Sequence, residues 1–455
     1  MNDTILIYNA RLVDATMDKK GFAIIIKNGK IDCFPNKQIV KELLKNENPE
    51  LKKIDACGAV LMPSFIDTHA HFRDPGLTQK EDIVTGSRAA AKGGFGTVVL
   101  MPNTSPVCSS QKMAEENNKK AKEAGWCNVI QSVSITENFD GKTIAHLNEL
   151  DPKVVPLITE DGKEVMDSSI MLEAMKTAAA KKIIVSCHCE DPFLAASARP
   201  LRAESLKLIH ENNAEAVAAN AAAKKAVALL NQADEILACA EDAATDRNLR
   251  LAKTAGCHIH LCHVSTEHCV RAAENAAKEG VNVTFEVTPH HIYFESGKAP
   301  VIFNIVNPPL RKKDDRLALI DALKKGKAFC IGTDHAPHTA EDKKNGAPGF
   351  SGIETAFAVC NTVLCRENKM SLKNLSRLMS ANPAQLLGLK NKGMLKEGFD
   401  ADLVLLDVEK TWVVHEKNFA SKGKFTPLEG KKLTGKVLKT FLAGRIVYDE
   451  SNEQN

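Results

Sequence analysis

Asp67-Thr68-His69-Ala70-His71-Phe72-Arg73-Asp74-Pro75-Gly76 follows directly on the apolar run Leu61-Met62-Pro63-Ser64-Phe65-Ile66. On extended backbone the side chains at i and i+2 share a face, so His69 and His71 can bite one metal ion from a strand end. Arg73 stands two residues further on, and its planar fork matches a carboxylate. A metal and an anion clamp side by side suit hydrolysis of a small anionic substrate. A strand end that merely carries His and Arg is the alternative, so the rest of the chain has to decide.

The totals narrow the field. At 455 residues the chain exceeds a single compact core, and one large α/β barrel with a smaller domain fits that length. A net charge of +3 gives no reason to expect nucleic acid or an anionic membrane as partner. No apolar run reaches the roughly 18 residues of a membrane span, and the first residues carry no basic region followed by an apolar core, so neither a membrane anchor nor a secretory signal is expected. Thirteen cysteines without a Cys-x-x-Cys pair read as reduced thiols in a cytoplasmic protein.

Apolar strands are predicted at 61–66, 96–101, 128–135, 154–158, 183–187, 258–263, 282–287 and 328–333, with helical patterns between them at 79–92, 109–124, 168–181, 267–279 and 313–325. Eight strands alternating with helices predict a (β/α)8 TIM barrel. The two ends carry short strands and glycine turns, among them Asn28-Gly29, and neither has a core of its own. The expected architecture is therefore a barrel over 61–388 and a composite β-sandwich built from 1–60 and 389–455. Residues 195–255 are rich in Ala, Glu and Lys and predict long helices, read as padding after strand five.

In such a barrel the active site lies at the C-terminal strand ends, and polar residues collect there. His69 and His71 follow strand one, Asn103 strand two, Glu160-Asp161-Gly162 strand four, His188 strand five and His263 strand six. Asn307 lies beyond strand seven, and Asp334 and His338 follow strand eight. Parity turns Cys187 and Cys189 away from an inward His188, which argues against a Cys-rich zinc site. Of three histidines in strand six, His263 is nearest the C-terminal end and is preferred over His258 and His260. His290 and His291, in a turn after strand seven, are decoys. Four histidines and two aspartates exceed the three protein ligands of a single catalytic zinc and suggest two metals about 3.5–4 Å apart.

The chain resembles the dihydroorotases of the amidohydrolase superfamily, of the bacterial type in which an aspartate replaces a carboxylated lysine between the metals. The motifs are HAHFRDPG (69–76), GGFGTVVLMPNT (93–104), TEDG (159–162), CHCED (187–191), CHVST (262–266), VTPHH (287–291), NPPLR (307–311), GTDHAPH (332–338) and GFSGIETAF (349–357), and they cover nearly the whole chain. The resemblance implies two zinc ions, one held by His69 and His71 with Asp334, the other by His188 and His263, with Asp161 bridging. It places Arg73, Asn103 and His338 about the substrate's carboxylate, Asn307 with Gly349 and Phe350 against a pyrimidine ring, and His71 among the substrate-binding residues as well as the metal ligands. The implied reaction is reversible cyclisation of N-carbamoyl-L-aspartate to (S)-dihydroorotate in pyrimidine biosynthesis, through a zinc-activated bridging hydroxide with Asp334 moving the proton. A homodimer and association with aspartate transcarbamoylase are the partners it admits.

Departures and rivals are specific. Ser64 stands where the family usually has Gly, Glu160 where a second Asp is usual, and the segment between His188 and His263 is longer than in relatives. Glu160 and Lys163 are rival metal bridges. Dihydropyrimidinase or allantoinase chemistry on the same scaffold is the main alternative, but those substrate rings are uncharged and give no reason for Arg73. An inactive barrel that scaffolds aspartate transcarbamoylase would be expected to have lost ligands, and none is missing. The polar, Gly-rich loop at 343–349 is a candidate lid.

Overall fold

A computed structural model describes residues 4–46, 48, 50–212, 221–296 and 305–453. At the N-terminal end, β1 (Thr4–Val13), β2 (Asp18–Lys27) and β3 (Lys30–Cys33) form an antiparallel meander. Its Asn28-Gly29 turn has φ of +50° and +75°, the left-handed pair that matches strand twist. After α1 (Lys37–Lys45), β4 (Leu51–Asp55) and β5 (Val60–Pro63) both add to β1 in parallel.

The apolar run predicted as one strand over 61–66 is divided. Val60–Pro63 stays with the terminal sheet, and β6 (Phe65–Ala70) starts a parallel one. Pro63 has no N–H to extend a ladder, and Ser64 N donates to Asp402 O, so the pairing partner changes there. His69 consequently lies inside its strand, and His71 is one residue beyond it. Ser64 fits because Gly96 faces it: a Cβ on Gly96 would stand 2.2 Å from Ser64 Oγ.

The parallel strands continue as β7 (Phe95–Leu100), β8 (Asn128–Gln131), β9 (Val133–Ser134), β10 (Leu157–Thr159), β11 (Ile184–Cys187), β12 (Ile259–Leu261), β13 (Val283–Val287) and β14 (Cys330–Ile331). They form two sheets, β6-β7-β8 and β9 to β14, in chain order. The strand predicted at 128–135 breaks at Ser132, whose N–H and hydroxyl both donate to Leu100 O. At the other edge Ala70 pairs with His335 in parallel, and His71 N donates to His335 O.

Helices α2 (Ile83–Lys92), α3 (Gln111–Ala124), α4 (Ser168–Lys181), α5 (Pro192–Asn212), α6 (Ala221–Ala255), α7 (Glu267–Lys278), α8 (Pro289–Tyr293), α9 (Lys313–Lys324) and α10 (Ala340–Lys344) lie between or after these strands. Side chains of Asp82, Ser110, Asp167 and Thr266 cap α2, α3, α4 and α7. The Ala-rich segment forms α5 and α6, and its residues 213–220 lie outside the described ones. Among the described residues no helix is long and apolar enough to cross a membrane.

The chain then returns to where it began. β15 (Leu403–Val413) pairs with β5, setting Leu405 opposite Leu61, and β16 (Lys432–Leu442) and β17 (Arg445–Asp449) complete the order β17-β16-β15-β5-β1-β2-β3. Ile7, Ile24, Ile26, Leu61, Leu403 and Phe441 are buried in one cluster drawn from both ends. The terminal strands thus share a sheet and a core.

Candidate active site

The C-terminal ends of the parallel strands converge on a buried cluster of nitrogen and oxygen donors. His69 from β6 and His71 just beyond it both turn to Asp334, their Nε2 atoms 3.7 and 3.1 Å from its Oδ1. Asp161, two residues past β10, reaches the same place: its Oδ1 lies 3.3 Å from His69 Nε2, 3.5 Å from His188 Nδ1 and 3.7 Å from His263 Nε2. His188 Nδ1 and His263 Nε2 are 2.9 Å apart. Burial would raise the Asp161 carboxyl, but the surrounding imidazoles carry it well below the usual range. Asp334 is lowered against burial by the His71 hydrogen bond and by the neighbouring histidines. Both are ionised at any ordinary pH.

This donor set fits metal ions. The ligating atoms of His69, His71 and Asp334, and those of His69, Asp161 and His263, gather within 4.8 Å of one another. His69 Nε2 and Asp161 Oδ1 are fully buried and have no hydrogen-bond partner among the described residues, an expensive arrangement for polar atoms unless they coordinate something. Imidazole and carboxylate are the ligands zinc takes.

Two neighbours fix which nitrogen His69 and His71 present. His69 Nδ1 donates to Glu286 Oε1 at 3.0 Å, leaving the Nε2 lone pair for the cluster. Glu286, on β13, also faces His260 Nε2 at 3.3 Å and the Thr68 hydroxyl. Burial would raise it, but the bonds from His260 and His69 bring it well below the usual range. Carboxylate–histidine pairing of this kind orients metal ligands, and the sequence reading overlooked it. The signal was present, because Phe285-Glu286-Val287 puts an acid inside an apolar strand. Asn103, expected at the substrate's carboxylate, accepts from His71 Nδ1 at 2.9 Å and donates to Asp161 Oδ2 at 3.2 Å. One amide N–H is left for a ligand.

Arg73 is held at φ +59°, and His263 and Asp334 are also left-handed at +33° and +48°. Non-glycine residues are strained there, and such strain concentrates at functional sites. Burial lowers the Arg73 guanidinium against the pull of the Asp334, Asp161, Asp342 and Glu81 carboxylates, yet among the described residues none of these lies within 4 Å to pair with it. His338 Nε2 donates to Pro348 O at 2.8 Å, so its 3.4 Å approach to Arg73 Nη2 brings two donors together and is packing only. Burial and Arg73 push His338 down to about 3, and it is neutral.

The loop proposed as a lid is fastened. Buried Lys343 donates to Ala347 O and Gly349 O, both at 2.7 Å, and Gly349 N donates to Ile305 O at 2.9 Å. Gly349 has φ +111°, and a Cβ there would meet Ala336 Cβ at 2.6 Å, so only glycine fits. Phe350 O accepts from Ala336 N, and the Phe350 N–H has no acceptor among the described residues. Asn307 Oδ1 accepts from Arg202 Nη1 at 2.7 Å.

Other candidates fall outside the cluster. Glu160 turns to Thr136 N and its hydroxyl, with burial pushing it up to about 7, while the Lys163 ammonium lies 5.6 Å over the Phe139 ring. His258 and His260 share Thr284 Oγ1. His290 and His291 sit on α8 rather than in a turn: His291 is spent on Thr288 and the Pro308 and Pro309 carbonyls, and His290 stands edge-on to Phe350 at 5.0 Å. Cys189 faces Asn248 of α6, away from the cluster.

A model of the amidohydrolase family matches residues 60–447. The chain belongs to this family. Within it the chain groups with the dihydroorotases. It is 44% identical to a dihydroorotase from Clostridium botulinum over 446 residues, spanning 98% of this chain and 99% of that one. A dihydroorotase from Aquifex aeolicus is 37% identical over 455 residues, with the same coverage. Among solved structures, L-hydantoinase (dihydropyrimidinase) from Arthrobacter aurescens superposes with a TM-score of 0.83 at 24% identity, over 99% of this chain and 97% of that one. A dihydropyrimidinase from Brevibacillus agri gives 0.81 at 22%, over 98% and 95%. These structures share the fold.

Proposed function

We propose that the chain catalyses the dihydroorotase reaction, the reversible closure of N-carbamoyl-L-aspartate to (S)-dihydroorotate and water. Arg73 carries this assignment. A buried guanidinium without a carboxylate partner is costly, and it stands beside the donor cluster where a carboxylated ring would meet it. The full-length likeness to dihydroorotases supports the same choice. An uncharged dihydropyrimidine, hydantoin or allantoin ring would leave that charge unpaired. An inactive scaffold gains no support, since all six donors converge.

His69, His71 and Asp334 would hold one zinc ion, and His188 and His263 the second, with Asp161 between them. When bound, zinc lowers the pKa of a water and polarises a carbonyl. Arg73 grips the substrate carboxylate and so orients the ring amide towards the cluster. The ionised Asp334 carboxylate takes the proton released as water adds to the ring carbonyl, then returns it to the leaving ring nitrogen as the C–N bond breaks. In the closing direction it accepts the ureido N–H proton. Asn103 keeps His71 and Asp161 in register, and the Phe350 N–H and Asn307 face the ring.

The scaffold proposed for this chemistry is a (β/α)8 barrel joined at Leu100–Ser132 and Ala70–His335, which starts at β6 rather than at residue 61 because Val60–Pro63 belongs to the terminal sheet, with a β-domain built from the two ends of the chain. A cytoplasmic setting fits the free cysteines. A homodimer and association with aspartate transcarbamoylase are tested by sedimentation of the purified chain alone and mixed with that enzyme. Metal analysis combined with a dihydroorotate assay tests the reaction. Two zinc ions per chain and turnover in both directions are expected. Turnover of dihydrouracil or allantoin without dihydroorotate would overturn the assignment.

A further inference from the structure

The Ala-rich insertion does more than cover the strands. Arg202, on α5, sends Nη1 to Asn307 Oδ1 at 2.7 Å and Nη2 to Val306 O at 3.3 Å, while Asp234 on α6 sits 3.5 Å from Nη2. α5 also grips the neighbouring loop: a Cβ on Gly346 would stand 2.3 Å from Leu206 Cδ1, and His210 Nε2 donates to Lys344 O at 2.8 Å. That loop is joined to the strand-seven segment by the Gly349–Ile305 bond. The insertion therefore fastens both segments assigned to the substrate ring.

The Arg202 contact also has a sign. A guanidinium carries only donors, so the face Asn307 turns to it has to be the amide oxygen. The amide orientation is thus fixed by chemistry. Its Nδ2 has no acceptor among the described residues. We propose that Arg202 is a positioning residue: by claiming Asn307 Oδ1 it makes Asn307 a hydrogen-bond donor towards the ligand, selecting rings that present an acceptor oxygen there. This rests on the dihydroorotase assignment, whose ring bears carbonyl oxygens. Without Arg202 the amide is free to flip and to offer its oxygen instead, which would repel that carbonyl.

The test uses the full-length, zinc-loaded chain with Arg202→Met, Arg202→Gln, Asn307→Ala and the Asn307→Ala/Arg202→Met pair. Arg202→Gln, whose amide satisfies either orientation of Asn307, keeps a polar group opposite Asp234 and carries the test if Arg202→Met fails to fold. Each Arg202 variant is expected to raise KM for dihydroorotate about tenfold, a lost oriented hydrogen bond, with kcat within about threefold. Zinc content stays at the unsubstituted value. In the Asn307→Ala background Arg202→Met adds nothing further. An unchanged KM in the folded Arg202 variants, or losses that simply add in the double variant, would overturn the proposal. If the unsubstituted chain turns over neither dihydroorotate nor N-carbamoyl-aspartate, the reaction assignment fails, and this inference with it.

Discussion

The terminal sheet and the cluster at the ends of the parallel strands spend their buried residues in opposite ways. In the sheet, Ile7, Ile24, Ile26, Leu61, Leu403 and Phe441 bury apolar surface against one another, on ladders interrupted by bulges such as the one after Ile7. In the cluster, imidazoles and carboxylates are buried together, Arg73, His263 and Asp334 sit at strained φ, and His69 Nε2 and Asp161 Oδ1 lack hydrogen-bond partners among the described residues. One region gains stability from folding, and the other consumes it to hold reactive groups ready. Damage to either should therefore leave the other's property nearly untouched.

Asp334→Ala breaks the comparison hardest. Turnover in both directions should fall by about 10³-fold or more, with a thermal midpoint close to the parent's. Retained turnover would remove Asp334 from the proton path. Arg73→Ala should raise KM for dihydroorotate about 100-fold while zinc content stays near two, because only the anion clamp is lost. Titrating Glu286→Gln with zinc should show affinity weakened about 10- to 100-fold, with activity recovered in excess zinc, since His69 loses its anchor. Phe441→Ala should do the reverse, costing about 3–5 kcal/mol in urea unfolding with kcat/KM of the folded chain unchanged.

Lys343 gives the smallest effect and a pH dependence. Burial pushes its ammonium down to about 8, so the folded chain sheds this proton before the unfolded chain does. Unfolded protein then binds more protons between about pH 8 and the ordinary lysine value, and stability rises with pH across that window. The unfolding free energy of the parent, measured in urea, should gain relative to Lys343→Met between pH 7 and 9.5, by about 2 kcal/mol. A constant difference between the two would show that Lys343 titrates normally.

Much of this contrast was legible from local pattern. The i, i+2 spacing of His69 and His71 needs only extended backbone, and Asn28-Gly29 needs only its own φ preference. Helix α4 was expected at 168–181 and occupies Ser168–Lys181, where Asp167 supplies the cap. What escaped depended on distant partners. The break at Ser64 follows from its bond to Asp402, more than 300 residues away, and no local periodicity reports it. Arg202 looks like any cation on an Ala-rich helix until Asn307 is brought beside it. Glu286 was readable as an acid in an apolar strand, but its partner His69 lies on another strand.

The pairing of β5 with both β1 and β15 has a consequence for biosynthesis. Leu61 is opposite Leu405 and beside Leu12, so the ribosome must deliver the last part of the chain before the first part has its full set of neighbours. The apolar face of β1 and β2 then waits while some 340 residues are translated, an interval of tens of seconds at about 5–20 residues per second. During that wait its apolar face is uncovered and its edge unpaired. The same wait makes loss of β15 to β17 an early route to aggregation.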